Sequence, residues 1–369
     1  MIKFLLYPFA ILFGIITSLR NRLYDLRLLK SKEFDVPIIS VGNITIGGTG
    51  KTPHVEYLIS LLKDKFEVVA LSRGYKRKSK GFIEVQVDSE VTAVGDEPLQ
   101  IKKKFPEAIV AVCENRVIGV ERILGSSQDL KIPDVIVLDD AFQHRRISPG
   151  INILLIDYNR PLKKDSLLPA GRLRESSSQI KRANVIIFTK CSGEITPIMR
   201  RIMQKEVHLK PYQELYFTTI HYNRIIPVFS GNQLHDELLS EKKFAVLVVT
   251  GIASPLLIYK YVEKIASHME TVTFPDHHHY SKEDICTISR KFEKINSEKK
   301  IILTTEKDTM HFKSISNLPD EFKESLYYIT VQVKFLGNEG NMFNKKILNY
   351  VGENKSNREL HKRKNKLQS

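Results

Sequence analysis

The 369-residue sequence predicts an α/β protein built on a doubly wound, mostly parallel sheet, with a second, smaller α/β domain after it. Three observations predict this. Short β-branched runs alternate with helical patterns along most of the chain. Those runs are apolar on both faces, as strands covered on two sides are. The alternation restarts after about residue 190, behind a stretch that reads as antiparallel. Composition agrees with a folded chain, at 42% hydrophobic and 27% charged residues. Cys113, Cys191 and Cys286 are too far apart for a disulfide framework or a zinc cluster and fit a reducing compartment.

The chain opens with "MIKFLLYPFAILFGIITSLRNRLYDLRLLK". Residues 4–19 are nearly all apolar, and Arg20, Arg22, Arg27 and Lys30 follow. The stretch is shorter than the ~20 residues of a usual spanning helix, and Pro8 and Gly14 interrupt it. It carries no small-residue cleavage site, so it is expected to stay on the protein. The expectation for residues 1–30 is a membrane-associating helix, peripheral or monotopic, with its cations at the headgroups on the cytoplasmic side. A buried helix of the soluble fold is the alternative. The net charge of +15 favours an anionic partner: a membrane surface, a phosphorylated substrate or a nucleic acid. The acidic motifs below speak against nucleic acid, for which they would have no use.

The first strand, "VPIISVG", leads into "NITIGGTGKT" and then a helical pattern. Strand, glycine turn, Lys-Thr and helix form the context of a P-loop. Gly47, Gly48, Thr49 and Gly50 are expected to bring backbone N–H groups to phosphate oxygens. Lys51 is expected to reach the β/γ-phosphates, and the Thr52 hydroxyl to bind Mg²⁺. Thr45 stands where the strict motif has its first glycine.

Further strands follow at "FEVVALS", "AIVAVC", "DVIVLDD", "INILLID" and "NVIIFTK". Asp139 and Asp140 end one of them. A carboxylate at such a strand end can hold Mg²⁺ beside the P-loop threonine, and because side chains alternate, one of the pair is expected to serve the metal. Gln143 and His144 follow in the loop, where polar site residues collect. Arg172 and Arg174 in "PAGRLRE" suit phosphate oxygens through forked donors. The nucleotide domain is expected at 31–192, the second domain at 193–351, and a basic, disordered tail at 352–369.

Taken together these blocks resemble the tetraacyldisaccharide 4'-kinase family, the lipid A 4'-kinases of Gram-negative bacteria. The family's loop has the form G-N-x-x-x-G-G-x-G-K-T-P, matched at residues 42–53, so Thr45 is the family's own variant. "SRGY", "VGDEP", "LDDAFQHR", "LLPAGRLRE", "FPDHHHY" and "TTEKD" match in order over nearly the whole chain.

The resemblance implies transfer of the ATP γ-phosphoryl group to the 4'-hydroxyl of an acylated disaccharide 1-phosphate, with Mg²⁺, at the cytoplasmic face of the inner membrane. It implies two domains with the site between them, Asp96 as the base and Glu175 near the metal. His277 best matches the family's Asp-His pair, with His278 as the alternative. Arg73 and Tyr75 in "SRGY" stand where the substrate's 1-phosphate or anionic lipid would be met. A histidine metal site at "DHHH", a plain helix start at Asp96 and a structural turn at "TTEKD" are the competing readings. A regulatory P-loop NTPase is the competing function.

Overall fold

The computed structural model describes residues 2–125, 132–229, 242–315 and 317–367. Its centre is a single twelve-stranded sheet. The nucleotide half begins with helix α1 (Ile2–Asp25), strand β1 (Ile38–Asn43) and helix α2 (Lys51–Leu62). Then follow β2 (Val68–Ser72), β3 (Ile83–Glu84), α3 (Val91–Val94), α4 (Asp96–Lys104), β4 (Ile109–Val112) and α5 (Arg116–Gly125). Strands β5 (Val135–Asp139), β6 (Ile151–Asp157) and β7 (Val185–Thr189) complete it, with α6 (Pro197–Glu206) leading into β8 (Glu214–Pro227). The second half holds β9 (Ala245–Thr250), α7 (Leu256–Ile265), β10 (His268–Thr273), α8 (Lys282–Glu293), β11 (Lys300–Thr305), α9 (Glu306–Phe312), α10 (Asp320–Ser325) and β12 (Leu326–Phe335). Helix α11 (Glu339–Leu367) closes the chain.

The strand order is β10-β9-β11-β12-β8-β7-β6-β1-β5-β2-β4-β3. Within the nucleotide half the pairs are parallel except at the β3 edge. Chain order reverses around β1, between β5 and β6, and open α/β sheets place ligands at such a crevice. The central strands are buried along their whole length, which explains their unbroken apolar runs.

Strand β8 joins the halves. Residues from Glu214 to Phe217 pair in parallel with β7, and the rest of the strand pairs antiparallel with β12. The changeover therefore falls inside β8 and not at residue 192. Met203, Val207, Leu215 and Phe217 still share a core with Leu154, Ile186 and Phe188, so α6 and the start of β8 pack on the nucleotide half.

Helix α11 also departs from the expected 193–351 boundary. Phe343, Ile347 and Val351 recur at a four-residue spacing and enter the core formed by Val55, Leu58 and the β1 strand. Burying each is worth roughly 1.5–3 kcal/mol, enough to hold the helix against the first half. Residues 352–367, expected as a basic, disordered tail, continue α11. Lys, Arg, Glu and Leu are good helix formers, and the helix is already nucleated by its buried turns.

Helix α1 runs unbroken through Pro8 and Gly14. Its protein-facing side carries small or polar residues, Ala10, Gly14 and Asn21, all buried. Leu5, Phe9, Ile11, Leu12, Ile15, Ile16 and Leu19 point away from the protein and are 56–72% exposed. Among the described residues no helix is long and apolar enough to cross a membrane.

Candidate active site

The P-loop forms between β1 and α2. Gly50 caps the helix with φ +85°, a left-handed conformation that glycine adopts without strain. The loop is held from below. Asn43 donates to the Thr49 hydroxyl at 2.7 Å, Thr189 donates to the Thr49 carbonyl at 2.9 Å, and the Lys190 ammonium donates to the Gly48 carbonyl. Lys190 is itself paired with Asp157 at 3.0 Å. Lys51 and Thr52 start α2, where the helix dipole favours an anion.

Asp139 and Asp140 meet this loop. Lys51 Nζ lies 3.8 Å from Asp140 Oδ1, and Arg174 Nη1 donates to both Asp140 oxygens at 2.9 and 3.0 Å. Burial opposes the Asp140 charge, but Lys51 and Arg174 hold its carboxyl below the usual range. Its φ of +47° turns the chain out of β5. Asp139 stays in the strand and is buried. Ser72 donates to its Oδ2 at 3.3 Å, while its Oδ1 has no partner among the described residues. Burial, then the charges of Glu97 and Asp140, push its carboxyl up to about 7. A buried, unpartnered carboxylate oxygen beside other carboxylates is what a divalent cation would satisfy.

The second cluster spans both halves. Asp96 opens α4, as the plain helix start expects. Gly95 before it has φ +92°, which a side chain would strain. His277 Nδ1 lies 2.7 Å from Asp96 Oδ2, and Lys307 Nζ lies 3.1 Å from His277 Nε2. Lys307 also reaches Asp276 at 3.2 Å, Glu97 at 3.5 Å and Asp96 at 3.8 Å. His311, one turn further along α9, places Nε2 3.8 Å from Asp96 Oδ2. Burial would raise the Asp96 carboxyl, but His277, His311 and Lys307 hold it well below the carboxylate range. His277 is itself left-handed, at φ +59°, a conformation that costs a non-glycine residue of order 1–3 kcal/mol and clusters at functional sites. The neighbouring ring, His278, turns away to Asp284 Oδ2 at 2.9 Å. Among the described residues no group of three or more His, Cys, Asp or Glu side chains is arranged to hold a metal.

The remaining predicted residues divide. The Tyr75 ring packs 5.0 Å from that of His277, and Arg73 is exposed nearby on the same loop. Gln143 donates to the Asn43 carbonyl and to Glu175 Oε1, each at 2.7 Å. Glu175 is buried against Arg182 at 2.7 Å and Asn21 of α1 at 3.1 Å, so its oxygens already have partners. His144 accepts from the Arg116 N–H at 3.1 Å. Burial, then surrounding arginines including Arg116, Arg20 and Arg73, lower its imidazole to about 4 and keep it neutral. The Arg172 side chain is exposed, and its backbone N–H is spent on Asp165.

Sequence reasoning missed Lys307, His311 and Lys190. "TTEKD" was visible as a motif; in the structure Thr305 caps α9 and Asp308 pins it to the Gly251 N–H and the Tyr280 hydroxyl, while Lys307 enters the site. Lys190 stands just past a strand end, the same signal that marked Asp139.

A P-loop at the switch point, acidic residues at the adjoining strand end and a second α/β half reaching across to Asp96 define a P-loop phosphotransferase. The chain belongs to the tetraacyldisaccharide-1-P 4'-kinase family, whose profile matches residues 2–351. It is 44% identical over 352 residues to the tetraacyldisaccharide 4'-kinase of Phocaeicola vulgatus, covering 95% of this chain and 96% of the relative. It is 43% identical over 373 residues to that of Bacteroides thetaiotaomicron, covering 99% and 97%. A crystal structure of LpxK from Aquifex aeolicus in complex with ATP superposes with a TM-score of 0.69 at 31% identity, covering 95% of this chain and 99% of that one.

Proposed function

We infer that this chain is an ATP-dependent kinase that phosphorylates the 4'-hydroxyl of a tetraacyldisaccharide 1-phosphate in lipid A biosynthesis. The observation that carries the reading is the meeting of Asp96 and His277, 181 residues apart, beside a P-loop.

Lys51 and the loop N–H groups bind the ATP phosphates. Thr52 and Asp139 would hold Mg²⁺, with Asp140 kept in place by Arg174 and Lys51. An ion held there would supply positive charge against the charge that develops on the transferred phosphoryl group. Asp96 stays ionised and accepts the hydrogen bond of the sugar hydroxyl. A loose phosphoryl-transfer transition state draws little on the basicity of that acceptor, so a carboxylate with a depressed pKa suffices to orient the nucleophile and take its proton late. Arg73, Tyr75, Gln143, His144, Arg172 and Arg174 are assigned to the substrate's polar head.

Helix α1 is the membrane element in this reading. Its large apolar side chains face outward in one continuous surface, and such surfaces mark a membrane or protein partner. An acylated acceptor stays in the bilayer, so the enzyme works at the cytoplasmic face of the inner membrane.

The test is radiolabelled ATP with tetraacyldisaccharide 1-phosphate in detergent micelles. Label should pass to the lipid. Hydrolysis without labelled lipid would favour a regulatory NTPase instead.

A further inference from the structure

We propose that Lys307 is a positioning residue that sets the tautomer of His277, and through it the route by which the reacting hydroxyl loses its proton. This rests on the reading of Asp96 as the acceptor of that proton.

The argument begins with donors and acceptors. A lysine ammonium has three donors and accepts nothing. Lys307 Nζ sits 3.1 Å from His277 Nε2, so this ring nitrogen is the acceptor. The single ring hydrogen of the neutral imidazole is then on Nδ1, 2.7 Å from Asp96 Oδ2. Asp96 is correspondingly the unprotonated partner. Burial works against the Lys307 charge, but the carboxylates of Glu97, Asp96 and Asp276 more than offset it and keep it an ammonium.

The scaffold supports the same assignment. Helix α9 carries Lys307, and its Asp308 binds the Gly251 N–H; the Gly251 carbonyl in turn accepts from the His277 N–H at 3.2 Å. One short helix thus places both the ring and the cation that orients it. The groups facing the ring are Asp96 from α4, Asp276 beside it, Lys307 from α9 and Tyr75. Glu97 and His311 complete the surroundings of Lys307 and Asp96.

The consequence is a balanced step in which His277 holds one proton throughout. The hydroxyl O–H bond breaks and the proton moves to an Asp96 oxygen. The hydroxyl oxygen forms its bond to the γ-phosphorus. The bond from that phosphorus to the β–γ bridging oxygen breaks, and its electron pair leaves with ADP. With Lys307 donating to Nε2, the ring has no free site for a second proton, so Asp96 and not His277 retains it.

The experiment is ¹⁵N NMR of the full-length protein labelled at histidine, with His277 identified by its loss in His277→Gln. Between pH 6 and 8 the expected pattern is a protonated Nδ1 and an unprotonated Nε2. Lys307→Met should shift the ring to the Nε2–H form or to imidazolium, and lower kcat about tenfold or more with a displaced pH profile. A protonated Nε2 in the wild-type protein overturns the proposal, as does an unchanged ring pattern in a folded Lys307→Met. The wild-type measurement needs no variant to fold. It is also independent of turnover: the expected tautomer without lipid phosphorylation would remove the kinase reading alone, and lipid phosphorylation with a protonated Nε2 would remove this inference alone.

Discussion

Glu56 of the P-loop helix and Glu306 of the second half share one cation, the Lys104 ammonium, at 2.6 and 3.1 Å. Gln100 donates to Glu56 at 2.7 Å from the same helix as Lys104. Burial pushes the Glu56 carboxyl up to about 7 against the pull of Lys104. Taking away one partner of such a buried pair costs more than the pair itself is worth. Lys104→Met is expected to lower stability by about 3 kcal/mol in urea unfolding, and the double variant with Glu56→Gln to recover much of that loss. A single variant as stable as the parent would show that the contact has no structural weight.

His54 predicts a pH dependence of stability. It is buried in α2, with Nδ1 2.7 Å from the Gly50 carbonyl and Nε2 3.1 Å from the Thr218 hydroxyl. Burial lowers it from 6.5 to about 4. Below pH 6.5 the unfolded chain takes up a proton that the folded chain refuses until about pH 4. Stability contributed by neutral His54 is therefore full above pH 6.5 and falls as the pH drops through that window, by up to about 3 kcal/mol. His54→Gln should flatten the denaturation midpoint between pH 6.5 and 4.5.

Asp96→Ala should lower kcat by a factor of about 10²–10⁴, with KM for ATP changed by less than about threefold. In the proposed reading the P-loop holds the nucleotide and Asp96 meets the acceptor. A variant that keeps most of its turnover in the micelle assay would reject the role.

Lys190→Met tests the support under the P-loop. It removes the donor to the Gly48 carbonyl and leaves Asp157 with only the more distant Arg160, at 3.8 Å. KM for ATP should rise by about tenfold, because a charge-assisted hydrogen bond of this kind is worth roughly 1.5 kcal/mol. Equal ATP saturation curves for parent and variant would contradict it.

Ile11, Ile15 and Leu19 form an exposed strip at four-residue spacing on α1. Changing all three to serine should weaken binding to anionic vesicles by about 100-fold or more, each side chain contributing about 1 kcal/mol or more. Kinase activity on substrate in detergent micelles should stay within about threefold, since these side chains point away from Gln143 and Glu175. Undiminished vesicle sedimentation would assign the strip elsewhere.

Much of the fold was legible because the central strands are covered on both faces. β1, β5 and β6 read as apolar runs, and the loop after β1 carries its own chemistry. The polar edge strand β10, "HMETVT", shows no such run; it is half-exposed and depends on β9 for its pairing. The return of α11 was hidden because Phe343, Ile347 and Val351 are scattered apolar residues ahead of a long polar, basic stretch. In the candidate site, Lys51, Asp96 and Asp139 were marked by motif and resemblance. The choice between His277 and His278 did not, because it turns on a backbone angle at His277. Lys307 was inside a visible motif, but its meaning depends on Asp96 and Asp276, which are distant in sequence and adjacent in space.

The crossing at β8 has a mechanical consequence. The same strand is hydrogen-bonded to β7 at one end and to β12 along the other, so the two lobes are welded through a ladder and not tied by a loose tether. Sliding one lobe past the other would break that ladder, whereas twisting and flexing keep it whole. Any motion that parts Asp96 from His277 would therefore have to flex this ladder, not slide along it.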